Sequence, residues 1–162
     1  MKMKILIACI ALLLTGCGGQ ETMETVSDEF VQPVLAQIRQ VCVSLPEDAA
    51  APVLEDENGA VYVCEDYEVY QQVLPAGALG ATVRTVSGYD PENLTVIHTW
   101  QDDCKRYDFV WAAAGEQGER VGKCCILDDG NYHYTLTVLG NAESAGEYEA
   151  VWREILNSFS LS

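Results

Sequence analysis

Tyr132-His133-Tyr134-Thr135-Leu136-Thr137-Val138-Leu139 and the run from Ser144-Ala145-Gly146-Glu147 to Phe159 decide the fold. In the first, Tyr132, Tyr134, Leu136 and Val138 alternate with His133, Thr135 and Thr137, the period-2 pattern of a strand with unlike faces. In the second, Tyr148, Val151, Trp152, Ile155, Leu156 and Phe159 follow the i, i+3, i+4, i+7 spacing of a helix with one broad apolar stripe. Ser144 with Glu147 three residues on has the form of a capping box. A helix of this kind must cover something apolar, and the neighbouring strand offers a sheet face. The expected class is therefore α+β, an antiparallel sheet covered by a C-terminal amphipathic helix.

Strands extend upstream from this pair. Asp129-Gly130 signals a tight two-residue turn into Tyr132, and Gly115-Glu116-Gln117-Gly118 signals another. They bound Arg120 to Leu127 and Arg106 to Ala113, where Tyr107, Phe109 and Trp111 share a face. These segments predict a C-terminal meander with one wet side. Earlier runs add Leu94 to Trp100, Ala81 to Val86, Glu68 to Leu74, Ala60 to Cys64 after Asn58-Gly59, and a short Val41 to Leu45 stopped by Pro46. The total is about six to eight strands. Phe30, Val34, Leu35, Ile38 and Val41 recur at helical spacing and predict a shorter N-terminal helix over 28–40.

The first residues have a different character. Met1-Lys2-Met3-Lys4 precedes an apolar run from Ile5 to Leu14, about ten residues and too short to span a bilayer. Leu14-Thr15-Gly16-Cys17 closes it, and the segment resembles a bacterial lipoprotein signal. That resemblance implies cleavage before Cys17, lipid on its sulfur, and residence at the outer face of a bacterial cell membrane. Gly18 rather than Asp follows Cys17, which in a two-membraned cell implies the outer membrane. The expected organisation is a signal at 1–16, a polar tether at 17–27 and one α+β domain at 28–162.

The Leu45-Pro46-Glu47 segment, the long antiparallel sheet and the closing strand-plus-helix, with its terminal Ser158-Phe159, resemble the PsbP-like α/β/α sandwich. This resemblance implies an architecture and carries no residue-level activity.

Composition bounds the function. The chain has 9 Lys+Arg against 25 Asp+Glu, a formal charge of −16, and Lys2 and Lys4 leave with the signal. Nucleic acid is disfavoured as a partner, because phosphates must be met by clustered cations. Lys105, Arg106, Arg120 and Lys123 fall on one expected hairpin, either as a small basic spot or as partners of nearby acids.

Seven cysteines occur. Cys9 lies in the signal and Cys17 is the lipid site, leaving an odd set. Export permits disulfides, with Cys42, Cys64, Cys104 and Cys125 as candidates and Cys124 as the thiol left over. Cys42 with Cys64, and Cys104 with Cys124 or Cys125, are the pairings considered. The vicinal Cys124-Cys125 lacks the Cys-x-x-Cys spacing and helix N-terminus of thiol oxidoreductases.

No metal site is expected. His98 and His133 are the two histidines, read as exposed or hydrogen-bonded on a wet face, and the acids at 55–57, 102–103 and 128–129 fall where turns are expected. No nucleophile elbow, phosphate loop or cofactor motif is present. Trp111 and Trp152 read as core, whereas Trp100 beside Gln101-Asp102-Asp103 is undecided. The functional expectation is a lipid-anchored envelope module that binds an unknown envelope protein or small ligand without catalysis. The competing class is an envelope thiol protein acting through Cys104, Cys124 or Cys125.

Overall fold

The computed structural model describes residues 36–49, 51–115 and 118–162. The Leu14–Cys17 motif, the tether and residues 28–35 of the expected first helix lie outside them. Of that helix, residues 36–40 are described, and they are not helical. Here the chain is held by tertiary bonds instead: the Arg39 N–H donates to Tyr134 Oη at 2.9 Å, and Tyr132 Oη donates to the Ala36 carbonyl at 3.0 Å.

Nine strands and two helices follow. They are β1 (Val41–Cys42), β2 (Leu54–Asp56), β3 (Gly59–Val63), β4 (Tyr67–Pro75), α1 (Leu79–Ser87), β5 (Ile97–Gln101), β6 (Cys104–Gly115), β7 (Gly118–Asp128), β8 (Tyr132–Asn141), α2 (Ala145–Ser158) and β9 (Ser160–Leu161). Seven form one antiparallel sheet in the order β2-β3-β4-β8-β7-β6-β5, and β1 pairs separately with β9. The α+β class, the C-terminal meander and the covering C-terminal helix are thus as the sequence predicts.

Register sorts the side chains onto two faces. On one, Tyr67, Val69, Val73, Cys125, Leu127, Tyr134, Leu136 and Val138 meet Trp152, Ile155, Leu156 and Phe159 of α2 and its C-terminal flank. The stripe read from the sequence is the one buried. Helix α2 starts at Ala145, but no side-chain cap forms at Ser144, whose hydroxyl lies 3.5 Å from the Asn141 carbonyl. Trp152 reaches its place because Gly140 lies beneath it: a Cβ there would stand 2.5 Å from the indole.

The opposite face is not the wet side expected. Phe109, Trp111, Cys124 and Ile126 form a second core with Val83, and Leu79 and Val86 pack on it. Its cover is α1, which occupies the segment read as a strand over 81–86. Leu79, Val83 and Val86 stand at i, i+4 and i+7, so about two turns of helix make the stripe that alternation also mimics. Gly88, at φ 77°, ends it in the left-handed cap, its N–H bonding the Arg84 carbonyl at 2.8 Å.

The helix α1 is also pinned by a buried polar pair. Thr82 Oγ1 lies 2.7 Å from His133 Nδ1, and both residues are buried. Burial depresses the His133 pKa, with Asp128 and Asp129 opposing more weakly. Below the ordinary histidine value of about 6.5 the unfolded chain takes up a proton that the folded chain resists. Stability should therefore fall as the pH drops below that value, and a His133→Gln chain should lose that part of the dependence in denaturant titrations at pH 5 and 7.5.

Candidate functional site

The expected site residues are dispersed. Cys42 sits in β1, Cys64 just beyond β3, Cys104 at the start of β6, and Cys124 and Cys125 in β7. All five carry free thiols. In the β6–β7 register Cys125 faces Asp108, four residues on from Cys104. That is about 14 Å along the strands, twice the roughly 6 Å Cα separation of a disulfide. In this structure the pairings of Cys104 with Cys125 or, one rung further, Cys124 are not made.

The vicinal pair points to opposite faces and neither thiol faces solvent: Cys124 is in the α1-side core and Cys125 in the α2-side core. Burial pushes the Cys104 thiol up to about 11 and Cys124 up to about 12, and raises Cys125 as well. A thiolate is the reactive form, so these groups are poorly suited to exchange chemistry. In the reduced protein, Cys42 should react with a thiol reagent under native conditions. The other four should lag by roughly two orders of magnitude until the fold opens. Rapid native labelling of Cys104, Cys124 or Cys125 by mass spectrometry would contradict this.

The four basic residues do not form a spot. Lys105 and Arg120 lie on the α1 face of the sheet, Arg106 and Lys123 on the α2 face. Arg106 forms a two-point bond to Asp108 at 2.8 Å and reaches Gln101 Oε1 at 2.7 Å and the Leu156 carbonyl at 3.3 Å. Gln101 Nε2 in turn donates to the Phe159 carbonyl at 2.7 Å. This network ties the end of α2 to β5 and β6. Arg120 bridges to Glu68 at 3.0 Å, and Tyr70 Oη donates to the same carboxylate at 2.5 Å. Burial opposes ionisation of Glu68, but these bonds outweigh it and hold its pKa below the ordinary range.

The turn acids serve the backbone. Asp128 Oδ1 accepts from the Gly130 N–H, and Asp129 Oδ1 from the N–H groups of Asn131 and Tyr132, each at 2.8 Å. The turn is longer than the two residues expected, with Asp128 opposite His133. Among the described residues no group of three or more His, Cys, Asp or Glu is placed to hold a metal.

What stands out is β5. It pairs with β6 on one side only, and its first four residues, Ile97-His98-Thr99-Trp100, are all exposed, Trp100 by 64% and Ile97 by 58%. His98 stacks on Tyr107 with ring centroids 5.1 Å apart, and Trp100 lies 6.1 Å from His98. The result is an aromatic row along one face of a sheet edge. Asp102-Asp103 closes the β5–β6 hairpin, with Asp102 at φ 54°. In such a two-residue hairpin the Gln101–Cys104 pair is hydrogen-bonded and the pairs then alternate. The backbone N–H and C=O groups of His98 and Trp100 consequently face outward, unpaired within the sheet.

Sheet edges are ordinarily blunted by charge, proline, bulges or brevity. The other edge follows that rule, since β2 is the three residues Leu54-Glu55-Asp56. The β5 strand is five residues without charge, proline or glycine. Sequence reasoning left Trp100 undecided, read His98 as exposed or hydrogen-bonded, placed Tyr107 on a face with Phe109 and Trp111, and did not single out Ile97. The available signal was the uncharged run Ile97–Gln101 itself.

No family model matches the chain, and no curated protein matches it in sequence. Several solved structures resemble it in fold, among them these two. One is LpqN of Mycobacterium tuberculosis, involved in cell envelope biogenesis, with a TM-score of 0.51 at 9% identity over 77% of this chain and 84% of that one. The other is the cyanobacterial PsbP, CyanoP, of Synechocystis, with a TM-score of 0.50 at 9% identity over 78% of this chain and 95% of that one. The likeness is one of fold, and the chain has the PsbP-like α+β fold.

Proposed function

We propose that this protein is a lipid-anchored component of a bacterial cell envelope, and that its domain binds a partner through the β5 edge without catalysing a reaction. The observation that carries the binding role is Trp100, a large aromatic left in water on a strand whose outer hydrogen-bonding groups are open. Combined with an open, uncharged strand edge, an exposed aromatic of this kind marks a surface suited to a partner. The anchoring rests on Leu14-Thr15-Gly16-Cys17, with lipid on Cys17 and the domain at the outer face of the membrane. Where the cell has two membranes, Gly18 favours the outer one. LpqN, which shares the fold, is involved in cell envelope biogenesis, in keeping with this placement. The thiol alternative is disfavoured by the burial and raised pKa values of Cys104, Cys124 and Cys125.

Two measurements test the reading. An alkyne fatty acid fed to cells making the protein should label it, and Cys17→Ala should abolish the label and release the protein from the membrane fraction. Retained label would end the anchoring proposal. A photoreactive residue at position 100 should crosslink to a partner in the envelope, while one at Val53, beside β2, should not. Equal crosslinking at the two positions would remove β5 as the binding edge.

A further inference from the structure

We infer that the occupant of the β5 edge is an extended, lysine- or arginine-bearing polypeptide segment that adds to the sheet as an eighth strand beside Ile97–Gln101. This inference rests on the reading of β5 as the binding edge and specifies what binds there.

The backbone supplies the first argument. The N–H and C=O groups of His98 and Trp100 point away from β6, at the spacing that an incoming strand uses. Main-chain pairing gives such a complex its affinity, and side chains at alternate positions give it selectivity. The strand is long enough to matter, since five residues span about 17 Å. An incoming chain would bury Ile97 on one face of the extended sheet and lie along His98 and Trp100 on the other.

Charge supplies the second. The chain carries 25 Asp+Glu against 9 Lys+Arg, and its field attracts cationic segments while repelling acidic ones and further copies of itself. Asp102 stands at the turn that ends β5, beside Asp103, which is already paired with Arg39. Within the strand there is no cation; Lys105 stands opposite Trp100 on β6, and Arg106 is already engaged by Asp108, so the attraction for a basic segment comes from the net charge of the chain as a whole. The exposed indole of Trp100 is itself a receptor for a lysine or arginine, because the ring face attracts a cation. A second copy would bring an equal acidic charge and no basic residue on its own β5, so self-pairing is the less favoured occupant.

The test uses the full-length chain in detergent micelles and three labelled octapeptides. One alternates Lys with Val, the second replaces every Lys by Glu, and the third is the Lys peptide with every other backbone nitrogen methylated. Fluorescence anisotropy should show saturable binding of the first, weakening as salt rises. Binding of the second and third should be at least ten-fold weaker, and Trp100→Ala should weaken the first by five-fold or more. Trp100 is exposed, so that variant should keep the native circular dichroism and melting temperature.

Methylated and unmethylated peptides binding alike would overturn strand addition. The Glu peptide binding as well as the Lys peptide, with both weakened by Trp100→Ala, would overturn the cationic preference while leaving β5 as the binding edge. A dimer in light scattering that Trp100→Ala dissociates would assign the edge to a second copy, again sparing β5 itself. Peptide affinities untouched by Trp100→Ala would overturn the inference and the reading beneath it together.

Discussion

Trp152→Ala should lower the unfolding free energy by about 3–5 kcal/mol, the usual cost of emptying a large aromatic site. Domains of this size hold roughly 5–15 kcal/mol in all, so the variant should melt far earlier in urea. Trp152 is fully buried and is the largest such side chain on α2. Its ring meets Tyr67 edge-on at 5.9 Å, and the Lys123 ammonium lies over it at 5.9 Å. Gly140 leaves room for it on β8. That dependence gives a sharper form of the same test. Gly140→Ala alone should cost about 1–3 kcal/mol through overpacking, but less in a Trp152→Leu background, where the clash with the indole is gone and only the tight approach to Tyr67 Cβ at 3.1 Å remains. Additive losses in the double variant would show that the two positions do not share one packing site.

Asp108→Ala should cost about 2 kcal/mol, since it strips the carboxylate from a guanidinium only 14% exposed. The Asp108 side chain is itself a third exposed, and the solvent that reaches it keeps the loss below that of a fully buried pair. Arg106 would keep Gln101 Oε1 and the Leu156 carbonyl, which limits the damage further. Replacing both partners, Arg106→Met with Asp108→Leu, should be milder than Asp108→Ala, because neither charge is then stranded. Chemical denaturation of the three chains decides it. A double variant less stable than Asp108→Ala would mean that the pair stabilises the fold beyond avoiding an isolated charge.

The parts legible in the sequence were those whose pattern has one structural reading. Six apolar positions from Tyr148 to Phe159 at helical spacing, beside an alternating strand from Tyr132, leave little choice. Helix α1 was misread because it is short and rich in β-branched residues: Thr82, Val83, Thr85 and Val86 satisfy strand preference and alternation as well as they satisfy a helix. Gly88 held the missing information, since a glycine just past Ser87 suits the left-handed cap that ends a helix. The wet face was lost with the same error, since Thr135, Thr137 and His133 are polar yet buried under a helix that the strand reading had removed. The candidate site was hard to see for another reason. Exposure of Trp100 follows from β5 being the last strand of the sheet, and strand order arises from pairings between distant segments.

Arg39 gives the arrangement a mechanical consequence. Its guanidinium holds the Asp103 carboxylate at 3.0 and 3.1 Å, so the chain entering the domain is fastened to the very turn that ends β5. The pair is open to solvent on the Asp103 side and therefore weak, so it can part without disturbing either core, and its parting would free the β5–β6 turn from residues 36–40.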